Sequence, residues 1–373
     1  MVGGAAALGS DLLGHDIATI NSQVVSRDRL RALPKVLLHD HLDGGLRPQT
    51  VLDLAAEHGY GDLPTADFDE LAEWFFQGRS ASLERYLEAF AHTVGVMQTS
   101  AAIERVAFEA VEDLAAHGVV YAETRMAPSL CTANGLDRTT AISAMLTGLQ
   151  AGEAAFGLPV RLIVDAMRQE SDSVDVARDA VEFAGQGVVG FDLAGPEAGF
   201  PPSLHSEALA VAAAGGLHLT IHAGEGDGIA SIASALDHGA ERLGHGSRLI
   251  EDTTIVDDEI EELGEVATRV YDTGVALEIC PTSNLHTGMY PDAASHPVGL
   301  LHRAGFAVTI NTDNRLMSGI TPTDEFAIVV DHHEFEVLDL EIVTRRALDA
   351  AFCDEATRSL VEAKVSAGYA EAE

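Results

Sequence analysis

Two histidines spaced two residues apart, His39 and His41, are the first residues in the sequence with the types and spacing for chemistry. They end an apolar run that starts at Val36, and an Asp-Gly-Gly turn follows them. Because side chains alternate along a β-strand, residues two apart lie on the same face. Two imidazoles on one face can bind a single metal ion. The pattern predicts a metal site at the end of the first strand, the alternative being two surface histidines in a loop.

Other predicted strands also end in residues of metal-binding type. His222 ends the fifth predicted strand, His245 ends the sixth, and Asp313 follows the eighth. Three neutral histidines and one aspartate form a good ligand set for Zn²⁺, with room for a water. Glu225, three residues after His222, is placed to face the same cavity without binding the metal, which suits a general acid or base. The alternative for Glu225 is a carboxylate stabilised at a helix N-terminus.

The elements that must position these residues are eight apolar runs that alternate with helical stretches. The predicted strands are 36–41, 118–125, 160–165, 187–195, 217–222, 242–246, 275–280 and 306–311. This alternation fits an α/β fold of the closed (β/α)8 TIM-barrel type better than an open, doubly wound sheet. Extra helical stretches are predicted after strand 1, over 67–99, and at the C-terminus from 324. A further helix is predicted over 257–272. In such barrels, chemistry takes place at the carboxyl ends of the strands.

Composition limits the partners and the number of domains. The 373 residues, 47% of them hydrophobic, can form a sizeable core, so we expect one domain over 26–373 after a flexible tail over 1–25. The chain has 22 Lys and Arg against 59 Asp and Glu, a formal net charge of −37. Such a charge disfavours nucleic acid and anionic membranes as partners. No apolar run approaches the length of a membrane span.

Cysteine, lysine and glycine usage narrows the chemistry. The three cysteines are scattered and form neither a disulfide framework nor a Cys-x-x-Cys pair, which favours the cytoplasm. The only lysines, Lys35 and Lys364, do not end strands, so no carboxylated lysine can bridge two ions and one catalytic metal is expected. No Gly-x-Gly-x-x-Gly or Walker-type loop follows the first strand, which disfavours the nucleotide-phosphate binding that such loops provide.

The oligomeric state stays open between monomer and homodimer.

Six motifs in register identify a family resemblance. They are Pro34-Lys35 with His39-Asp40-His41-Leu42-Asp43-Gly44, Asp192-Leu193-Ala194-Gly195, His222-Ala223-Gly224-Glu225, Gly244-His245-Gly246, Cys280-Pro281-Thr282-Ser283-Asn284 and Asn311-Thr312-Asp313. In this order, over residues 34–350, they resemble the adenosine deaminase family of the amidohydrolase superfamily, and in particular its bacterial subgroup. The chain does not resemble the cytidine-type zinc deaminases, because their His-x-Glu and Pro-Cys-x-x-Cys signature is absent.

The resemblance implies a role for each matched residue. The ligands of one zinc ion would be His39, His41, His222 and Asp313. His245 would orient and deprotonate the attacking water, and Glu225 would protonate purine N1 so that ammonia leaves C6. The backbone of Gly195 would contact N3, and Asp43 would bind a ribose hydroxyl. The implied substrate is a purine nucleoside, adenosine or 2′-deoxyadenosine, and the product is inosine or 2′-deoxyinosine.

One position departs from the family pattern. The zinc aspartate is commonly followed by a second aspartate that donates a hydrogen bond to purine N7, and here that residue is Asn314. An aspartate must be protonated to donate, whereas an asparagine amide donates at any pH. We expect Asn314 to recognise N7 without a pH requirement.

Two other functions stay open from the sequence. Relatives with this core act on adenine, on N6-methylated AMP or on 6-amino-6-deoxyfutalosine, and Asp43 disfavours a nucleotide because its charge would oppose a 5′-phosphate. The other alternative is a non-catalytic barrel that binds a nucleoside, against which the intact ligand set and Glu225 argue.

Overall fold

The computed structural model describes residues 25–78, 80 and 83–372. The tail predicted over 1–25 lies outside the described residues except for its last position. Within the described part, no helix combines the length and the hydrophobicity needed to cross a bilayer.

Eight parallel strands form the central sheet, as the alternating pattern predicts. The strands of the structure are β1 (Lys35–His41), β2 (Val119–Met126), β3 (Val160–Met167), β4 (Val188–Ala194), β5 (His218–Ala223), β6 (Arg242–His245), β7 (Thr253–Val256), β8 (Glu259–Leu263), β9 (Ala276–Ile279) and β10 (Val308–Ile310). The sheet order is β1-β2-β3-β4-β5-β6-β9-β10, and β7 and β8 pair separately. Each sheet strand is buried almost throughout, as expected when helices cover a parallel sheet.

The first and last strands meet at their carboxyl ends. The backbone N–H of His41 donates to the carbonyl of Asp313 at 2.9 Å, and the N–H of Asp313 donates to the carbonyl of His39, also at 2.9 Å. Nearer the middle of the strand, the side-chain oxygen of Asn311 accepts the N–H of Leu38 at 2.8 Å. These bonds bring the edges of the sheet together, so the prediction of a (β/α)8 barrel is confirmed.

Helices surround the outer face of this sheet, and some of them also line the cavity at one mouth of the barrel. They are α1 (Arg27–Ala32), α2 (Pro48–His58), α3 (Phe68–Phe75), α4 (Leu83–Leu87), α5 (Phe90–Val96), α6 (Ser100–Ala115), α7 (Arg138–Phe156), α8 (Ser173–Val181), α9 (Ser206–Ala214), α10 (Ile229–Asp237), α11 (Glu265–Thr273), α12 (Pro281–His286), α13 (Val298–Arg303), α14 (Arg315–Ser318), α15 (Pro322–His333), α16 (Val337–Ala350) and α17 (Glu355–Ala370). The extra helices predicted after β1 and at the C-terminus are confirmed.

The helical stretch predicted over 67–99 is interrupted, forming α3, α4 and α5 instead of one continuous helix. At Phe76 the backbone becomes extended, with ψ at 108°. The next amide, that of Gln77, donates to the carbonyl of Met317 at 2.7 Å rather than to a carbonyl of its own helix. A tertiary hydrogen bond therefore ends α3. The helical pattern of the sequence over 67–99 did not reveal this contact.

The prediction of a helix over 257–272 is wrong for the first half of that range. Residues 253–263 form an antiparallel hairpin, and α11 begins only at Glu265. The two hairpin residues Asp257 and Asp258 have φ of 49° and 60°. A two-residue turn with positive φ at both positions matches the twist of a hairpin, and the β-branched run Thr253–Val256 favours a strand before it.

A buried lysine fastens the start of the barrel. The Nζ of Lys35, which is 1% exposed, donates to the carbonyls of Leu30 at 2.6 Å, Leu33 at 2.9 Å and His117 at 2.9 Å. Burial lowers the pKa of Lys35 to about 7. The side chain links the end of α1, the start of β1 and the loop before β2.

Replacing Lys35 with methionine should destabilise the fold, because three buried carbonyls would lose their donor. We expect Lys35→Met to lower the free energy of unfolding by about 2–4 kcal/mol in a urea titration at neutral pH. The other lysine offers a matched control, since Lys364 is only half-buried and donates to one carbonyl, that of Gly157, at 2.8 Å. Lys364→Met should change stability by less than about 0.5 kcal/mol. Equal effects of the two substitutions would contradict the fastening role.

Candidate metal centre and active site

Four side chains, from the ends of two strands and from the loop that follows a third, converge inside the mouth of the barrel. The nearest distances are 3.4 Å from Asp313 Oδ1 to His39 Nε2, 3.4 Å from Asp313 Oδ1 to His41 Nε2, and 3.4 Å between the Nε2 atoms of His41 and His222. One ligand-type atom from each of the four residues lies within 4.8 Å of the others. The structure thus brings together the four residues that the strand-end pattern singles out.

The arrangement of these atoms fits a site that binds a cation better than a group of buried polar atoms without partners. His39 Nε2 and Asp313 Oδ1 are buried and have no hydrogen-bond partner among the described residues. Burying polar atoms without partners is costly, and neutral imidazole nitrogens that face each other present lone pairs to the same point. A metal ion bound by His39, His41, His222 and Asp313 would satisfy all of these atoms.

Each histidine of the cluster is backed by a carboxylate on its other ring nitrogen. His39 Nδ1 lies 3.0 Å from a carboxylate oxygen of Glu278. His222 Nδ1 lies 2.8 Å from an oxygen of Asp192, and His41 Nδ1 lies 3.5 Å from an oxygen of Asp165. A carboxylate on Nδ1 holds the proton there and leaves Nε2 free to bind a metal. The pairs at His39 and His222 are the close ones and direct Nε2 toward Asp313, whereas the contact of His41 with Asp165 is longer.

Two buried arginines neutralise the backing carboxylates. Arg125 contacts Asp192 at 2.7 Å and Glu278 at 2.8 Å, and Arg242 contacts Glu278 at 2.7 Å. Although burial opposes ionisation of Glu278, these arginines hold the pKa of its carboxyl well below the usual range. By contrast, burial and the charge of Asp192 raise the pKa of Asp165 well above that range. Glu278, behind His39, is therefore ionised and paired with the two arginines, whereas Asp165, behind His41, favours its protonated form.

Glu225 and His245 lie beside the four-residue cluster. His245 Nε2 and Glu225 Oε2 are 3.6 Å apart, and both groups lie within 4.8 Å of a carboxylate oxygen of Asp313. Burial, with the charges of Asp313 and Glu197 next in size, raises the pKa of Glu225 well above its ordinary value. Glu225 can therefore hold a proton at neutral pH and present it to the cavity.

The loop that carries Glu225 is held by a second glutamate, Glu197. Its carboxylate, 2% exposed, accepts the backbone N–H groups of Gly224 at 2.7 Å, Glu225 at 2.9 Å, Gly226 at 2.7 Å and Asp227 at 3.1 Å. Four amides on one carboxylate fix the backbone on both sides of Glu225. The negative charge of Glu197 also contributes to the raised pKa of Glu225.

The cluster opens into a cavity of about 280 Å³, near the lower end of the size range of small-molecule sites. Asp43, Gly195 and Asn314, the predicted substrate-binding residues, all line it. Burial raises the pKa of Asp43 to about 7, and one carboxylate oxygen of Asp43 has no partner among the described residues. Gly195 has φ of 91°, a conformation that favours glycine. The apolar side of the cavity includes Leu83, Tyr86, Leu87 and Phe90 from the helices after β1.

Sequence reasoning missed the residues that support the site. Asp165 and Asp192 lie near the ends of β3 and β4, where the strand-end rule could have flagged them. Glu278 lies inside an otherwise apolar strand, and a charge there is a signal of buried pairing. Glu197 carries no local signal, because its partners are backbone amides about thirty residues away in the sequence.

Comparison with known proteins agrees with the fold and the site. The profile of the family described as Adenosine deaminase matches residues 34–367. An adenosine deaminase of Mycobacterium marinum is 49% identical over 332 residues, covering 87% of this chain and 92% of that protein. Adenosine deaminase 1 of Streptomyces coelicolor is 46% identical over 358 residues, covering 94% of this chain and 90% of that protein.

Solved structures of the same architecture belong to proteins with different names. The adenine deaminase of Arthrobacter aurescens superposes with a TM-score of 0.79 at 28% identity, covering 90% of this chain and 98% of that one. A zinc-bound amidohydrolase of Burkholderia ambifaria gives 0.81 at 25% identity, covering 95% of each chain. The N6-mAMP deaminase of Arabidopsis gives 0.78 at 26% identity, covering 91% of this chain and 99% of that one.

The fold and the cluster define an amidohydrolase-type barrel with a metal site at its mouth. The family match and the identity to its members place it more narrowly: the chain belongs to the adenosine deaminase family. The family resemblance noted in the sequence motifs is confirmed.

Removing the acceptor of Glu197 should loosen the loop over 224–227. In Glu197→Ala, each amide loses a hydrogen bond worth about 1 kcal/mol, so we expect hydrogen–deuterium exchange of these amides to accelerate by about fivefold to tenfold. Mass spectrometry of a peptide spanning the loop measures the change. Glu207→Ala is the matched control, because Glu207 is an exposed glutamate on α9 whose side chain is 74% exposed. Unchanged exchange of the loop in Glu197→Ala would show that other contacts hold it.

Proposed function

We propose that the chain hydrolyses adenosine and 2′-deoxyadenosine to inosine and 2′-deoxyinosine with release of ammonia. The observation that carries the proposal is Glu225, a carboxyl group with a raised pKa that faces a cavity beside the four-residue metal cluster. The relatives named adenosine deaminase, at 46–49% identity over most of the chain, support the same reaction.

The metal we propose is a single zinc ion held by His39, His41, His222 and Asp313. Atoms that bind the same zinc ion at about 2.0–2.1 Å must lie within roughly 4 Å of one another. The three nearest separations in the cluster are each 3.4 Å, which supports this assignment. The zinc in the Burkholderia ambifaria structure supports it further. Bound there, zinc would supply Lewis acidity and make a water nucleophilic near neutral pH.

The residues of the chain then divide the remaining work. His245 orients the attacking water, whose oxygen forms a bond to C6 of the purine. Glu225 gives its proton to N1, so the ring can accept the electron pair displaced by the attack. One proton of the attacking water goes to the amino group, so the bond between C6 and that group breaks and ammonia leaves. The other proton of the water returns Glu225 to its protonated form.

Three cavity residues are proposed to recognise the nucleoside. The backbone N–H of Gly195 donates to purine N3, and the amide of Asn314 donates to N7. Asp43 accepts a ribose hydroxyl, which would satisfy its unpartnered buried oxygen. These assignments favour a nucleoside over the substrates of two structural relatives. Adenine would leave Asp43 unpaired, and the 5′-phosphate of a nucleotide would enter a cavity that Asp43 and Asp313 line and in which none of the described lining residues is a lysine or an arginine.

The remaining proposals concern the organisation of the protein. One buried apolar cluster extends from Leu30 to Tyr369, which supports a single domain over 26–373. The proposed site is complete within one chain, so a monomer or a homodimer can carry it. Cys131, Cys280 and Cys353 have free thiols, which supports a cytoplasmic location.

A substrate panel tests the reaction. We expect ammonia release from adenosine and 2′-deoxyadenosine, little from adenine or 6-amino-6-deoxyfutalosine, loss of activity with a chelator, and recovery when one equivalent of zinc is added. Glu225→Gln should keep bound zinc but lose about a hundredfold or more in kcat, since general acid catalysis contributes about 10²–10⁴-fold. Binding of zinc and nucleoside without ammonia release would favour the non-catalytic barrel, and preference for adenine would favour an adenine deaminase.

Asn314 gives a second test, because a carboxyl group donates to N7 only when protonated. In Asn314→Asp, KM for adenosine should rise with pH, whereas the KM of the unaltered protein should not. Asn314→Ala should lower kcat/KM by about tenfold to a hundredfold, the effect of one lost hydrogen bond in a buried site. The control substrate is 7-deazaadenosine, which has no N7 acceptor. If Asn314→Ala discriminates between the two substrates as strongly as the unaltered protein does, Asn314 does not contact N7.

A further inference from the structure

A series of buried polar side chains continues from His245 away from Glu225. Asn284 lies next to His245, and His296 lies next to Asn284, with contacts of 2.9 and 3.1 Å. All three are at most 3% exposed, and neither Asn284 nor His296 lines the cavity. The metal cluster and the proposed substrate contacts do not account for these two residues.

The direction of hydrogen bonding along the series starts from a group that can only donate. The backbone N–H of Val298 donates to His296 Nδ1 at 3.1 Å. Burial lowers the pKa of His296 to about 3, so the ring is neutral and has one proton. With Nδ1 accepting, that proton is on Nε2, which donates to the side-chain oxygen of Asn284 at 3.1 Å.

The amide of Asn284 then has only one orientation. Because its oxygen accepts from His296, its nitrogen faces His245 and donates to Nδ1 at 2.9 Å. A nitrogen that accepts a hydrogen bond has no proton, so the proton of His245 is on Nε2. That nitrogen is the one 3.6 Å from Glu225.

We propose that Asn284 and His296 are positioning residues that hold His245 in the tautomer with its proton on Nε2. His245 then acts as a hydrogen-bond donor that orients the attacking water, and Nε2 cannot remove a proton from it. This differs from the deprotonating role that the family resemblance implies for His245. The catalytic consequence rests on the proposed deaminase function, whereas the tautomer itself does not.

The backbone at His245 supports a fixed ring. His245 has φ of 61°, a conformation that residues with a side chain rarely adopt and that persists where the surroundings impose it. The N–H of the next residue, Gly246, donates to Ala223 at 3.0 Å, which joins this position to the end of β5. The backbone fixes the position from which the His245 side chain extends, and the hydrogen bond from Asn284 to Nδ1 leaves Nε2 facing the cavity.

The proton positions can be observed directly. In protein labelled with ¹⁵N-histidine, long-range ¹H–¹⁵N correlation spectra distinguish a protonated from an unprotonated ring nitrogen. Comparison with His245→Gln and His296→Gln assigns the two rings among the 16 histidines. We expect both rings to be neutral with the proton on Nε2, in zinc-loaded and in chelator-treated protein. A proton on Nδ1 of His245 in the unaltered protein would overturn the proposal.

Two substitutions should change the tautomer. An aspartate at position 284 can accept from His296 but, when ionised, cannot donate, so Asn284→Asp should move the proton of His245 to Nδ1. His296→Phe should free the amide of Asn284 to flip and give resonances of both tautomers. For adenosine, kcat should fall by about a hundredfold in Asn284→Asp and about tenfold in His296→Phe, with KM within about threefold.

A histidine on a neighbouring helix provides the control. His302, on α13, is 9% exposed and pairs with Asp339 at 3.0 Å, and among the described residues it makes no hydrogen bond to His245, Asn284 or His296. His302→Phe should leave the tautomer of His245 unchanged and kcat within about twofold. Bound zinc is measured in every variant, so that metal loss is separated from a tautomer change. An unchanged tautomer in both Asn284→Asp and His296→Phe would overturn the proposal, and a changed tautomer with no deaminase activity in any form would overturn only the proposed function.

Discussion

The closure of the barrel at Asp313 is the constraint on which the site depends. The backbone of Asp313 pairs with the backbone of His39 and His41, and its carboxylate faces the rings of the same two residues. Its φ of 59° turns the chain out of the last strand while keeping both sets of contacts. Because a register shift of one residue would reverse which side chains point inward, the hydrogen bonds that close the sheet also set the separation of three proposed ligands.

The charge balance beneath the mouth follows from the same architecture. Parallel strands deliver carboxylates as well as histidines to one end, and so many acids would repel one another if nothing opposed them. Arg125 and Arg242 neutralise the carboxylates behind His39 and His222, while Asp165 is left to favour its protonated form. The uncompensated negative charge is concentrated at Asp313, where it favours a cation. Burial, together with the nearby charge of Asp313, raises the pKa of Glu225 and so favours its protonated form.

The sequence was informative where a short-range rule carries the geometry. The period of two along a strand places His39 and His41 on one face, and the shared mouth of parallel strands brings His222 and Asp313 to them. Where long-range contacts decide, local patterns fail. The hydrogen bond from Gln77 to Met317 interrupts a helix that spacing alone predicts as continuous, and Glu197 binds amides of a loop that no local feature connects to it. The hairpin over 253–263 was missed because Asp-Asp, rather than Asn-Gly, forms its turn.

Two parts of the site do different physical work. The floor of the site, made of strand ends and their ion pairs, is fixed by closure of the sheet. The roof comes from the short helices after β1, with Leu83, Leu87 and Phe90 contributing apolar surface and no constraint on the ligand set. We propose that substrate choice resides in the few polar residues between floor and roof. Asp43 and Asn314 occupy that layer, so differences there, rather than among the metal ligands, should separate a nucleoside deaminase from its relatives.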